Sequence, residues 1–196
     1  MIKRGFDIFF SVLGILILIP FFILIAIVVL IDSRGGVFYK QRRVGKDNID
    51  FFILKYRTMQ TNSDKSGLLT VGVRDKRITR VGYFLRKYKL DELPQLFNVL
   101  DGTMSFVGPR PEVRQYVNLY NEEQKKVLSV KPGITDYASI EYSKESEILA
   151  ESKNPEQTYI QEIMPHKLIL NLKYIKEQNI LTDLKIIFRT IKKVLS

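Results

Sequence analysis

The chain has 196 residues, a formal charge of +10, a pI near 9.6 and no cysteine. That length holds one domain and an anchor, the charge calls for an anionic partner such as membrane lipid, nucleic acid or a phosphorylated substrate, and without thiols there are neither disulfides nor thiolate chemistry. His166 is the sole histidine and stands between Pro165 and Lys167 with no serine motif nearby, so it reads as structural; zinc on His or Cys is excluded, and any metal must be oxygen-bound, which favours magnesium.

Ile8 to Ile31 carries no charged side chain. As a helix it would measure roughly 36 Å, against a hydrocarbon core of about 30 Å. No small-residue cleavage site follows it, only Asp32-Ser33-Arg34, so it reads as an anchor rather than a signal peptide. Pro20 divides it into halves too short to span. Lys3 and Arg4 precede it, and Arg34, Lys40, Arg42, Arg43 and Lys46 follow it. Positive charge on both flanks fits both ends staying in the cytoplasm, as in a re-entrant helix-break-helix. Spanning stays as the alternative, because membrane helices tolerate proline.

Val37 to Gln41 and Asp50 to Arg57 read as two strands about the turn-like Gly45-Lys46-Asp47-Asn48. Period two puts Lys55 and Arg57 on one face and Phe52, Leu54 and Tyr56 on the other. Thr61 to Val73 is a polar loop. Arg74 to Lys89 holds seven basic residues and one acid, Asp75, with Ile78, Val81, Leu85 and Tyr88 as a helical stripe. Nucleic acid is the rival partner for so basic a stretch, but no zinc-finger or RNP-like motif accompanies it, and the apolar anchor favours an anionic lipid bilayer.

The centre of the chain is Leu90 to Glu112. Leu93, Leu96, Phe97 and Leu100 recur at helical spacing, and Gly102 stands where a helix would stop. Pro94 suits a first turn, which makes Asp91 the expected N-cap with Glu92 just inside, at the positive end of a helix dipole where phosphate binds. Arg110, fixed between Pro109 and Pro111, presents a planar fork suited to phosphate oxygens.

Asp91-Glu92-Leu93-Pro94-Gln95-Leu96-Phe97-Asn98-Val99-Leu100, then Gly102 and Met104 to Pro111, resembles the core motif of the small monotopic phosphoglycosyl transferases, the bacterial sugar transferase family. The likeness covers almost the whole chain. It implies a re-entrant hairpin at residues 1–34 and a catalytic domain over 35–196, with an α+β fold of amphipathic helices and a β-hairpin, on the cytoplasmic face of the bacterial inner membrane. It further implies transfer of a sugar-1-phosphate from a UDP-sugar to undecaprenyl phosphate with release of UMP, a first membrane step in capsule, O-antigen, exopolysaccharide or glycoprotein synthesis. By this resemblance Asp91 is the covalent nucleophile and meets magnesium, and Glu92 acts in metal binding or proton transfer. Lys55, within a stretch similar to the family's pre-loop motif, joins Arg86 and Arg110 as a phosphate-binding candidate. Many relatives carry Ser-Pro where Ile19-Pro20 stands here. Many also carry a glycine and then an arginine where this chain has Asp136 to Lys144; Lys144 is the only cation in that stretch that could replace the arginine.

The remaining sequence reads as helices. Val113 to Val130 is one with a solvated face, and Asn154-Pro155 opens another that should end near Pro165. A last helix from about Thr182 carries Leu184, Ile187, Phe188, Ile191 and Leu195, a stripe equally suited to core packing and to a membrane surface. A homo-oligomer is compatible with the sequence. A catalytically silent membrane adaptor is the alternative of a different class, disfavoured by the intact Asp91-Glu92 and Arg110.

Overall fold

The computed structural model describes residues 2–61, 63, 69–72 and 75–195. Part of the expected loop, 62, 64–68 and 73, and Arg74 after it, lie outside the described residues, as does the side chain of Leu195.

Helix α1, Ile2–Asp32, is long and apolar enough to cross a membrane. Pro20 lies inside it and the helix continues past it, so the expected division into two helices is not seen. One side of α1 lies along the rest of the fold. Gly14 faces Leu96, the Phe22 ring meets Tyr56 and Phe97, and Val29 is buried with Tyr56 and Leu85. Its other side leaves Phe9, Leu16, Ile17 and Ile23 exposed.

Strands β1, Phe38–Val44, and β2, Asp50–Tyr56, form the expected antiparallel hairpin. The first runs farther than its sequence signal, because Val44 is buried in the main core and its N–H donates to Glu112 O at 2.9 Å. Helix α2, Arg80–Lys87, is shorter than the basic stretch predicted: Ile78 is taken by a bridge to Met59, and Thr79 caps the helix by accepting from Gly82 N. Helix α3, Gln95–Asp101, ends at Gly102 as expected.

Beyond it, β3, Ser105–Val107, pairs in parallel with β4, Gly133–Thr135, a second sheet the sequence did not announce. Gly108 and Gly133 meet backbone to backbone at this pair: a Cβ on Gly133 would strike Gly108 N, and one on Gly108 would strike the Lys131 carbonyl. Between the two strands the expected single helix is three short turns: α4, Arg114–Val117, α5, Glu122–Lys125, and a 3-10 turn over Lys126–Ser129. A capping box at Asn121 and Gln124 starts α5 anew, which explains the break.

Helices α6, Tyr137–Glu141, α7, Glu145–Glu151, and α8, Pro155–Thr158, follow. Asn154 caps α8, but the chain does not stop at Pro165. A π-helical segment over Tyr159–Ile163 leads directly into α9, Met164–Glu177. The wider turn accommodates a proline, whose ring would crowd a regular helix and whose nitrogen donates no bond. Helix α10, Ile180–Leu195, closes the fold. Its core contacts are Asp183 and Ile186, with Ile187 partly covered, whereas Leu184, Phe188 and Ile191 of the predicted stripe are exposed.

Candidate active site

Asp91 and Glu92 sit in a 3-10 turn, Leu90–Glu92, that opens directly toward α3. Asp91 is therefore not the N-cap expected from sequence. The turn begins at Lys89 in a left-handed conformation (φ 55°), and Pro94 is the N-cap of α3, with no side-chain cap bond at either. Pro94 has no N–H for the carbonyl of Leu90, so that oxygen accepts instead from Leu93 at 3.3 Å, and the turn stays tight. Both carboxylates are consequently buried.

The two acids differ sharply in their partners. Arg110 donates through Nη1 to Glu92 Oε2 at 3.0 Å and through Nη2 to Glu92 Oε1, a two-pronged clasp. Lys55 Nζ adds a third bond to Oε1 at 3.3 Å. Burial pushes the Glu92 carboxyl up, but the charges of Arg110 and Lys55 outweigh it and hold Glu92 well below the usual carboxylate range. Asp91 has no such clasp. Its Oδ1 is buried with no hydrogen-bond partner among the described residues. Burial and the neighbouring Glu92 charge raise its pKa, partly offset by Lys55 and Arg86. Burial also lowers Lys55 to about 8, although Glu92 pulls the other way.

Each cation is positioned by residues remote in sequence. Asn98 on α3 accepts from Leu54 N at 2.9 Å and donates to Phe52 O at 2.9 Å, fixing the strand that carries Lys55. The Arg110 N–H donates to Asp136 Oδ2 at 3.0 Å, while Asp136 Oδ1 caps α6 through Ser139 N. Arg86 donates from Nε to Thr58 Oγ1 at 2.9 Å and from Nη1 to Thr70 Oγ1 at 3.2 Å. It stands one turn beyond Gly82, which packs on the Thr58 backbone so closely that a Cβ there would overlap it. Burial lowers the pKa of Arg86, and the charge of Asp91 raises it in part.

The five candidates Lys55, Arg86, Asp91, Glu92 and Arg110 thus converge on one buried polar cluster. Pro20 lies apart from it, within α1. Arg57, the strand-mate of Lys55, turns away to donate to the carbonyls of Val29, Ser33 and Arg34 at the end of α1. Lys144 is largely exposed and lies 3.9 Å from Glu147, apart from the cluster. His166 receives or donates a bond with Tyr142 at 2.7 Å. Asn98, Thr58 and Asp136 were missed as supports because each acts on a partner far away in the chain. The only sequence signal was the position of Asn98 within the motif.

Three cations thus surround two inequivalent carboxylates on an α+β domain packed against a helix long and apolar enough to cross a membrane, and guanidinium and ammonium groups so placed are suited to phosphate oxygens. The family model described as "Bacterial sugar transferase" matches residues 1–196, and the chain belongs to that family. It is similar to the UDP-N-acetylgalactosamine-undecaprenyl-phosphate N-acetylgalactosaminephosphotransferase of Aeromonas hydrophila, at 37% identity over 100% of this chain and 44% of the relative. The UDP-glucose:undecaprenyl-phosphate glucose-1-phosphate transferase of Escherichia coli (strain K12) is 34% identical over 98% of this chain and 40% of its own length. The exopolysaccharide production protein PSS of Rhizobium leguminosarum bv. phaseoli is 36% identical over 97% of this chain and 93% of its own. The chain spans less than half the length of the first two of these relatives.

Proposed function

We propose that the protein transfers a sugar-1-phosphate from a UDP-sugar to undecaprenyl phosphate, with Asp91 as nucleophile. The observation that carries this assignment is the contrast between the two acids: Glu92 is held by Arg110 and Lys55, while Asp91 keeps a buried oxygen without a partner. In the first half-reaction an Asp91 carboxylate oxygen attacks the β-phosphorus of the UDP-sugar. The bond from that phosphorus to the bridging oxygen breaks, and UMP leaves with the electron pair. In the second half, an oxygen of undecaprenyl phosphate attacks the same phosphorus and restores the Asp91 carboxylate. Arg86 and Lys55 offset the phosphoryl charge, and Arg110 keeps Glu92 ionised and in place. Glu92, held far below the usual range, is a poor proton carrier in this arrangement and serves as an anionic anchor for the cations.

No group of three or more metal-binding side chains occurs among the described residues. Magnesium nevertheless fits the donor set, because it is commonly held by one carboxylate with substrate phosphates and water completing its shell. Asp91 would hold it, and it would supply further neutralisation of the diphosphate.

The proposed setting is the cytoplasmic face of the bacterial inner membrane, where α1, continuous in the structure, would bend at Pro20 to form a re-entrant anchor. Both ends of α1 are tied to the same domain: Arg4 to the carbonyls of Val99 and Leu100, Asp7 to Ser105 and Phe106, and its last turn to Arg57. That arrangement supports both ends lying on one side of the bilayer. The exposed Leu184, Phe188 and Ile191 on α10, a helix that also carries Lys185, Arg189 and Lys192, support a membrane-surface face.

The test is incubation of purified protein with a UDP-sugar and magnesium, without lipid acceptor. A protein adduct of sugar-phosphate mass should form and map to Asp91, with UMP released. Asp91→Asn should form none and lose turnover by about 10³-fold or more. An adduct on Asp91→Asn, or near-normal turnover, would favour direct attack by the lipid phosphate; no UMP release from any UDP-sugar would favour the silent adaptor.

A further inference from the structure

At the far end of α3 from Asp91 lies a second cavity, of about 260 Å³, which shares no lining residue with the candidate active site. Its wall brings Lys3, Arg4 and Asp7 from the start of α1 to Lys46 of the hairpin turn and Lys131 ahead of β4. The charges do not cancel. Lys3 is paired with Asp183. Arg4 donates to Val99 O and Leu100 O at 2.5 and 2.8 Å, which satisfies its N–H groups without removing its charge. Among the described residues Asp7 accepts from neutral donors alone, Ser105 Oγ at 3.1 Å and Phe106 N at 3.2 Å.

Two lysines remain over. Lys46 has its nearest acid in its own exposed turn, Asp47 at 3.8 Å. Lys131 has no hydrogen bond or ion pair among the described residues. Burial lowers its pKa, and the charges of Arg4 and Lys46 lower it further, against a partial offset from Asp7 and Asp101. Arg4 and Lys131 also crowd Gly102: a Cβ built there would stand 3.1 Å from Arg4 Nη2 and 3.2 Å from Lys131 Nζ. With Lys3 paired to Asp183, the wall still carries Arg4, Lys46 and Lys131 against Asp7 alone, so its cations repel one another unless a further anion joins them. The carbonyl end of α3 supplies part of that anion, but α3 is a helix of only seven residues.

The α1 residues that line the cavity, Lys3, Arg4 and Asp7, directly precede the exposed Ile8, Phe9 and Phe10 of the apolar stretch. We propose that it is a second phosphate site, which Arg4, Lys46 and Lys131 hold for the headgroup phosphate of an acidic membrane phospholipid or for a free phosphate. The lipid source rests on the reading of α1 as a membrane anchor; the phosphate chemistry does not. Phosphate suits the wall, which offers ammonium and guanidinium donors to an anion whose acyl chains would run beside Ile8 and Phe9.

The full chain in detergent micelles is titrated with phosphatidylglycerol, with diacylglycerol as the phosphate-free control, and with inorganic phosphate, bound lipid being counted by native mass spectrometry and bound phosphate by phosphorus NMR line broadening. Wild type should retain phosphatidylglycerol and not diacylglycerol. Lys46→Gln with Lys131→Gln should weaken retention by about tenfold, and the matching Arg substitutions should keep it, which separates charge from fold. Lys46→Gln alone, on an exposed turn, should show part of the loss if the double variant unfolds. Broadening of inorganic phosphate that vanishes in the Gln variant assigns the site to phosphate of any source; retention of the lipid without such broadening assigns it to the headgroup. Equal retention and equal broadening in wild type and the Gln variant overturn the proposal, as does retention of diacylglycerol. Sedimentation with neutral phosphatidylcholine vesicles tests the anchor separately. Failure of wild type to sediment sinks the membrane reading and leaves the micelle result standing.

Discussion

Lys55 is the residue whose chemistry is most exposed to pH. Its pKa, lowered by burial to about 8, means that the ammonium is present below that value and lost as pH rises through it. The loss removes a cation both from Glu92 and from any phosphate beside Asp91. The ratio kcat/KM should therefore fall above pH about 8, and Lys55→Arg, which stays charged, should remove that alkaline limb. On the acid side, Asp91 takes up its proton above the ordinary aspartate range, so the acid limb should begin earlier than for an exposed carboxylate. Steady-state rates across pH check both signs. Asn98 offers a different prediction. Asn98→Ala strands the N–H of Leu54 and the carbonyl of Phe52, and should cost about 3 kcal/mol of stability, read as a lowered unfolding temperature. That Asp91, Glu92 and Arg110 stand together was legible from the motif as a whole and not from any one of them, since an Asp-Glu pair alone suits a helix cap and a proline-flanked Arg a surface turn. Asn98 and Asp136 were not, since a side chain that serves distant backbone leaves no local pattern.

Among elements, α2 depends most on a single residue. Gly82→Ala would drive a Cβ into the Thr58 backbone and push the helix away. Overpacking of this kind costs about 1–3 kcal/mol, and the Arg86–Thr58 bond should loosen with it. KM for the UDP-sugar should rise in Gly82→Ala, while Gly36→Ala, which meets only a Phe38 backbone oxygen at 3.8 Å, should be neutral. The hairpin was readable from alternation and the apolar stretch from its length, but the single continuous helix was not, because Pro20 reads as a break. The β3–β4 pair was not, because each strand is three residues long and the partner lies across a long connection. The helix through Pro165 was misjudged for a related reason: a π-helical turn is chosen by packing of Tyr159 and Ile163 in the core, and proline alone reads as a stop. Asp136 is tied to Arg110 and α6, so a specificity exchange should spare it. Replacing 137–144 with a relative's stretch should change the kcat/KM ratio between two UDP-sugars, measured in a folded chimera.

For the whole molecule, the decisive question is on which side of the membrane the two ends of α1 lie. Cysteines placed at Lys3 and at Lys46 should both resist a membrane-impermeant thiol reagent in intact cells. Labelling of one alone would mean that α1 spans. Pro20→Leu restores an amide donor inside the helix and should raise the labelled fraction at one end.

The same tethering sets an order of events during synthesis. Lys3 finds Asp183 across 180 positions, and Asp7 finds Ser105 across 98. The anchor leaves the ribosome long before its last partner exists. Its first turn must therefore wait until α10 arrives to fasten it. Ribosome-stalled chains ending before Asp183 should show that first turn open to protease, and chains extending beyond α10 should show it closed.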